Sequence, residues 1–116
     1  MQEPMKNKIY YSMEARRDLD EIWDYIVTDL CNPKAAQRMI DRILDDVDRL
    51  TDFADIGAPL SSVADTDADY CFLVTGNYMT FYRVSGENVY VDRILYGRRD
   101  YLRIFIGDQL EEENLQ

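Results

Sequence analysis

The sequence contains no histidine among its 116 residues. This absence excludes histidine-based catalytic triads, histidine general bases and histidine metal ligands. Any proton transfer would therefore fall to tyrosine, carboxylate, lysine or arginine side chains. The two cysteines, Cys31 and Cys71, lack the close spacing of a zinc or redox motif. We expect them to be reduced thiols of a cytosolic protein, with a disulfide as the alternative.

Long apolar segments are also missing. No run of the sequence approaches the roughly 18 apolar residues that a membrane helix needs. The first ten residues, MQEPMKNKIY, lack the apolar stretch of a signal peptide. We therefore expect a cytoplasmic location and no membrane partner. The length fits one domain, which we place at residues 1–107, followed by an acidic tail at 108–116.

Basic residues are scarce and unevenly distributed. There are 13 lysines and arginines against 23 aspartates and glutamates, for a net charge of −10. Residues 14–69 hold 15 acidic and 6 basic side chains, whereas residues 70–107 hold 3 acidic side chains and 5 arginines. A chain this acidic lacks the broad basic surface of a nucleic-acid-binding protein. Its one positive region is the arginine set near the end.

Two amphipathic helices are predicted in the first half. Ser12 can cap the first helix, whose apolar stripe carries Trp23 near its centre and whose wet face includes Asp18. The stripe consists of Ala15, Leu19, Ile22, Trp23, Ile26, Val27 and Leu30. The break at Cys31-Asn32-Pro33 predicts that a second helix begins at once. Two helices with so short a link predict an antiparallel helical hairpin.

The second half predicts a three-stranded meander. Gly76-Asn77 separates the runs Cys71–Thr75 and Tyr78–Val84, and a Gly-Asn loop suits a tight hairpin turn. A second turn around Gly86 precedes the run Asn88–Tyr96. These runs are rich in Val, Ile, Tyr, Phe and Thr, which fit a pleated surface. Residues 9–11 predict a further edge strand before the helices.

The predicted order is therefore strand, helix, helix and then three consecutive strands. Each helix has one apolar stripe that needs a covering surface, and the meander supplies a sheet face. We predict an α+β fold with a helical hairpin packed on one face of a small, mostly antiparallel sheet.

This order and several local phrases resemble the RelE/ParE superfamily, the toxins of type II toxin–antitoxin pairs. The phrases are EARRDLDEIWDYI, FADIGAPL, TGNYMTFYRV and RILYGRRDY. They extend from about Ile9 to Ile106. The resemblance implies a RelE-like fold, a role in plasmid stabilisation and growth inhibition, and a cognate antitoxin as partner. We expect no cofactor and no metal.

The RNA-cutting branch of this superfamily has a basic active face. The resemblance implies two lysines on the first meander strand, an arginine after the tyrosine of the GNY phrase, a late arginine and a C-terminal tyrosine. Attack of a 2′-hydroxyl on a phosphate builds negative charge, which such cations stabilise. This sequence has at those positions, in order, Tyr70, Phe72, Met79, Arg99 and Phe105. Only Arg99 matches, although Arg83, Tyr101 and Arg103 could substitute.

The candidate site residues follow from this comparison. The candidates for catalysis are Arg99, Arg83 and Tyr101, and those for target binding are Arg93, Arg98, Arg99, Arg103 and Tyr96. Arginines in this region could instead pair with nearby acids and only hold the sheet together. The tyrosines of the meander could equally serve packing.

The resemblance is stronger to the ParE-like branch, which is associated with inhibition of DNA gyrase without a catalytic site of its own. We therefore expect a toxin that acts by binding a protein target. The alternatives are a ribosome-dependent mRNA endoribonuclease, with the ribosome and mRNA as partners, and a non-toxic interaction domain. Both a homodimer and a toxin–antitoxin hetero-oligomer remain open.

Overall fold

The computed structural model describes residues 6–62 and 69–97 as two helices packed on a five-stranded sheet. The strands are β1 (Lys8–Tyr11), β2 (Ala58–Pro59), β3 (Cys71–Thr75), β4 (Tyr78–Ser85) and β5 (Asn88–Tyr96). Their order across the sheet is β1-β5-β4-β3-β2. Strand β1 pairs parallel to β5, and the other pairs are antiparallel. The predicted fold class is confirmed, as are the edge strand and the three strands of the meander; β2 was not predicted.

Local sequence signals set the ends of the helices. Helix α1 (Met13–Asp24) begins where the Ser12 hydroxyl accepts a hydrogen bond from the Ala15 amide at 2.9 Å. A five-residue π-helical segment, Tyr25–Asp29, extends α1. Helix α2 (Pro33–Asp48) begins with proline in its first turn, and the Asn32 side chain caps it. The predicted cap at Ser12 is confirmed, as is the start of a second helix directly after the break at Cys31-Asn32-Pro33.

The helical hairpin covers one face of the sheet and forms the larger core with it. Buried residues of α1 and α2, such as Ile22 and Ile43, pack against buried residues of β4 and β5, such as Tyr82 and Val91. A second, smaller apolar cluster consists of Leu60, Phe72, Met79, Phe81 and Leu95. Because side chains alternate between the faces of a strand, β4 contributes to both clusters.

Tyr82 ties the link after α2 to the sheet. Its ring is fully buried, and its hydroxyl donates to the Ala54 carbonyl and accepts from the Gly57 amide, each at 3.0 Å. Burial, followed by the influence of the neighbouring Cys71 thiol, raises the pKa of Tyr82 to about 12 from its ordinary value of 10.0. The neutral hydroxyl is therefore part of the folded structure.

Replacing Tyr82 with Phe is expected to cost about 1–3 kcal/mol of unfolding free energy near neutral pH, because two backbone groups lose their partner. This cost should shrink above about pH 10, where the unfolded chain ionises Tyr82 and the folded chain does not. Urea unfolding of both proteins at about pH 8 and about pH 11 measures the change. A difference independent of pH would contradict the assignment of the raised pKa to Tyr82.

Candidate functional site

A β-bulge in the centre of the sheet organises the candidate site. Phe81 pairs with Arg93 and Tyr82 pairs with Val91, so Asp92 is an extra residue on β5. Bulges redirect side chains and often lie beside functional sites. Here the two successive residues take part in separate ion pairs: Asp92 binds Arg83 of β4, and Arg93 binds Asp18 of α1.

Arg83 lies in a row of side chains that crosses four neighbouring chain segments, which we call the Tyr–Arg row. Its members are Tyr10, Tyr90, Arg83 and Tyr70. Tyr10 and Tyr90 stack with ring centroids 5.5 Å apart. The Arg83 guanidinium carbon lies 5.8 Å from the Tyr90 ring centroid and 5.7 Å from that of Tyr70. These distances are typical of cation–π contacts.

Asp92, which is not a member of the row, matches the charge of Arg83. Its Nε donates to the Asp92 carboxylate at 2.8 Å. This hydrogen bond, with the attraction of the same carboxylate, raises the pKa of Arg83 above its ordinary value. The pKa of Tyr70 is also raised, first by burial and then by the charge of Asp92. Tyr70 is therefore a neutral hydroxyl rather than a ready base.

Arg93 belongs to a different site, where α1 meets the end of β5. Strand β1 pairs with β5 only as far as Val91, so the later backbone groups need other partners. The buried Asp18 carboxylate accepts from the Ile94 amide at 2.9 Å and from Arg93 Nε and Nη2 at 2.9 and 3.1 Å. Asp18 was predicted on the wet face of α1, and that prediction is wrong, because these three bonds hold it inside.

A cavity of about 380 Å³ lies beside this ion pair. We call it the α1–β5 cavity. Three tyrosines line it: Tyr25 from the start of the π-helical segment, and Tyr78 and Tyr96, which are paired across β4 and β5. The last two rings meet edge-on with centroids 5.3 Å apart. Three charged residues and three apolar ones complete the wall: Asp18, Glu21, Arg93, Ile22, Ile94 and Leu95.

The tyrosines of the cavity differ in exposure. Tyr78 is buried, whereas Tyr25 and Tyr96 are 48% and 54% exposed. Burial, and then the proximity of Tyr96 and Tyr25, raises the pKa of Tyr78 above its ordinary value. The Tyr78 phenol is therefore neutral at physiological pH. Tyr25 and Tyr96 present aromatic surface to solvent.

The predicted site residues fall into three groups. Arg83 lies in the Tyr–Arg row, and Arg93 and Tyr96 line the α1–β5 cavity. The predictions for Arg98, Arg99, Tyr101 and Arg103, and for the tail at 108–116, lie outside the described residues. Sequence reasoning missed Asp18, Glu21 and Tyr25 as members of a site. The spacing of Ala15, Asp18 and Ile22 was an available signal, because it places Asp18 on the inner face of α1.

Within the described ranges, no group of three or more acidic or cysteine side chains could hold a metal ion. Both cysteines are free thiols, with Cys31 exposed and Cys71 partly buried. Neither of the two described helices is long and apolar enough to cross a membrane.

The parallel β1–β5 pair, the helical hairpin and the three-stranded meander define the fold of RelE/ParE-type toxins. The chain belongs to the family described as the ParE toxin of the type II toxin–antitoxin system parDE, whose family model matches residues 9–101. It is thus a toxin of a type II toxin–antitoxin system, of the ParE/RelE family. No curated protein sequence matches the chain.

Solved structures share this fold at low sequence identity. The chromosomal ParDE toxin–antitoxin system from P. aeruginosa contains a chain with 22% identity and a TM-score of 0.66, covering 82% of this chain and all of that one. The RelBE2 toxin–antitoxin complex from Mycobacterium tuberculosis has 18% identity, a TM-score of 0.54 and coverage of 81% and 94%. The YoeB/ParE toxin from Agrobacterium tumefaciens has 21% identity, a TM-score of 0.54 and coverage of 78% and 99%.

Proposed function

We propose that this ParE-family toxin acts by binding a protein target, DNA gyrase, and that a cognate antitoxin neutralises it. The family match supports the ParE-like branch. The net charge of −10 supports a protein target, since ribosomal RNA and mRNA repel an acidic surface. Two of the similar structures are of toxin–antitoxin systems, which supports the antitoxin partner.

The described residues add one observation against RNA cleavage through Arg83, the Arg83–Asp92 ion pair at 2.8 Å. A catalytic arginine in RNA cleavage must direct its positive charge at the phosphate that reacts. Arg83 shares its charge with Asp92 and lies against the rings of Tyr70 and Tyr90. Arg83 is therefore better placed to stabilise the sheet surface than to stabilise a transition state.

The acidic surface also has a consequence for the charge of the antitoxin. Antitoxin segments cover their toxins as extended or helical peptides, for which the helical hairpin and the sheet edge are the available surfaces. Charge complementarity then favours a basic segment. A neighbouring gene that encodes a small, strongly acidic protein would count against this part of the proposal.

Inducible expression of the chain alone, with pulse-labelling of DNA and protein synthesis, tests the proposed function. We expect DNA synthesis to fall first while protein synthesis continues. The Arg83→Ala variant should keep this effect, as should the control Arg38→Ala on the exposed side of α2. RNA cleavage that used Arg83 would instead predict an early fall in protein synthesis, weakened about 10²–10³-fold by Arg83→Ala.

No effect on either synthesis would contradict both forms of toxicity in the host used. The chain would then be an interaction domain with the toxin fold. If the Arg83→Ala variant still caused an early loss of protein synthesis, Arg99 and Tyr101 would be the next residues to replace.

A further inference from the structure

The α1–β5 cavity combines exposed aromatic surface with unbalanced negative charge. Tyr25 and Tyr96 leave about half of their surface open at its rim, and Tyr78 forms its floor with apolar neighbours. Tyr82 of the core, by contrast, is fully buried. The volume of about 380 Å³ falls at the lower end of the ~300–1,000 Å³ typical of ligand pockets, which suits a single side chain.

Two carboxylates lie at this cavity, and they are not equivalent. Asp18 is buried and fully engaged by Arg93 and the Ile94 amide. Glu21 is exposed and forms no ion pair within residues 6–62 and 69–97. Because Asp18 and Arg93 form an ion pair, the remaining charge among the described residues that line the cavity is the negative charge of Glu21.

Other acidic residues of α1 add to the negative charge near the cavity. The helix carries five acids, Glu14, Asp18, Asp20, Glu21 and Asp24, against Arg16 and Arg17. An anionic group of a partner would be repelled here, and a neutral apolar side chain would gain nothing from Glu21. A cation gains from both, since phenol rings attract cations over their faces and a carboxylate pairs with them.

Arginine suits this arrangement better than lysine. Its planar guanidinium stacks on aromatic rings while its N–H groups reach a carboxylate, and it loses less hydration than an ammonium group. Arg83 provides an internal example, because it lies between two tyrosine rings and pairs with Asp92. The α1–β5 cavity offers the same combination of groups to a side chain from outside.

We propose that the α1–β5 cavity is an anchor site for a basic side chain of a partner protein, with arginine preferred. Tyr25, Tyr78 and Tyr96 supply the aromatic contacts, and Glu21 supplies the pairing carboxylate. The proposal deepens the proposed function, since a basic antitoxin segment is the partner expected there. It adds the position at which such a segment inserts its anchor.

An NMR titration of the isotope-labelled full chain tests this site without the partner. The probe is N-acetyl-arginine amide, and the matched probe is N-acetyl-citrulline amide, which has nearly the same shape and no charge. We expect saturable shifts at the three tyrosines and Glu21 for the arginine probe. We expect the citrulline probe to bind about 5–30-fold more weakly, because both the cation–π contact and the ion pair are lost.

Matched variants locate the effect. Glu21→Gln should weaken the arginine probe about 2–5-fold, and Glu14→Gln, on the same helix but away from the cavity, should not. Tyr96→Ala should weaken it about 2–5-fold, and Tyr10→Ala, which removes a tyrosine of similar exposure, should not. Thermal unfolding of each variant separates loss of binding from loss of folding.

The proposal is overturned by equal binding of the two probes, by stronger binding of N-acetyl-leucine amide, by shifts outside the cavity, or by the absence of saturable shifts. These results are independent of toxicity. A chain that arrests growth but does not distinguish arginine from citrulline keeps the proposed function and loses the anchor. A chain that binds arginine at the cavity but leaves growth unchanged loses the proposed toxicity and keeps the anchor.

Discussion

Replacing Asp18 with Ala is expected to remove about 3–5 kcal/mol from the free energy of unfolding, because it removes the buried carboxylate that pairs with the largely covered Arg93 guanidinium. The carboxylate accepts hydrogen bonds from Arg93 Nε, Arg93 Nη2 and the Ile94 amide, all within 3.1 Å. It supplies the acceptor that a longer β1 would have supplied to β5. Urea unfolding followed by far-ultraviolet circular dichroism measures the loss.

The second ion pair provides the matched control. The side chains of Arg83 and Asp92 are 50% and 20% exposed, against 26% and 7% for Arg93 and Asp18. Asp92→Ala should therefore cost about 1 kcal/mol or less. Asp20→Ala, at an exposed position of the same helix, should change stability by about 0.5 kcal/mol at most. Equal losses for Asp18 and Asp92 would contradict the role of Asp18 at the strand edge.

Gly57→Ala is expected to cost about 2–4 kcal/mol, through a close contact and a lost hydrogen bond. An added methyl group would fall on the Tyr82 hydroxyl and within 2.8 Å of the Phe72 carbonyl oxygen and a Tyr82 ring carbon. The Tyr82 ring is fully buried and cannot turn aside, so the link between α2 and β2 must move. Thermal and urea unfolding should both register the loss.

Two variants separate this mechanism from backbone strain. Gly86 has a φ of +59° and no atom near an added methyl group, so Gly86→Ala should cost only about 1 kcal/mol. In the Tyr82→Phe background, Gly57→Ala should cost less than in the natural chain, because the closest atom of the contact is gone. Additive effects of the two substitutions would show that the hydroxyl is not the obstacle.

Much of this fold could be predicted because its signals are local. Helix caps at Ser12 and Asn32 and the turn at Gly76 are each set by a few neighbouring residues. The meander followed from composition and turns alone. The order of these elements then left few ways to bury the stripes of both helices.

The site could be predicted only in part, because its contacts join distant residues. Asp18 and Arg93 are 75 positions apart, and no residue next to either one in the sequence indicates that they pair. An aspartate in a helix usually faces water, which is why its burial was missed. The bulge at Asp92 also escaped prediction, since a single extra residue leaves the alternation of β5 almost unchanged. Tyr25 lines the cavity from a π-helical segment, which no local sequence pattern predicted.

Arg83 and Arg93 form separate ion pairs, and this bears on the kind of partner that the protein binds. The sequence made Arg83 a candidate for catalysis and Arg93 a candidate for target binding, yet each has a carboxylate partner within 3 Å. They stabilise the sheet and its edge, and the charge presented by α1 is negative. A protein partner with basic anchors fits such a surface better than a nucleic acid does.

A supercoiling assay with purified DNA gyrase, relaxed plasmid and the purified chain tests whether the toxin acts on gyrase. We expect the chain to inhibit supercoiling in a concentration-dependent manner, and Arg83→Ala to inhibit equally well. A parallel reaction with translating ribosomes should leave the mRNA intact. Gyrase that remains fully active with excess toxin, or mRNA that is cut in the ribosome reaction, would contradict the proposed action on gyrase. Cutting that is lost in Arg83→Ala would assign it to Arg83.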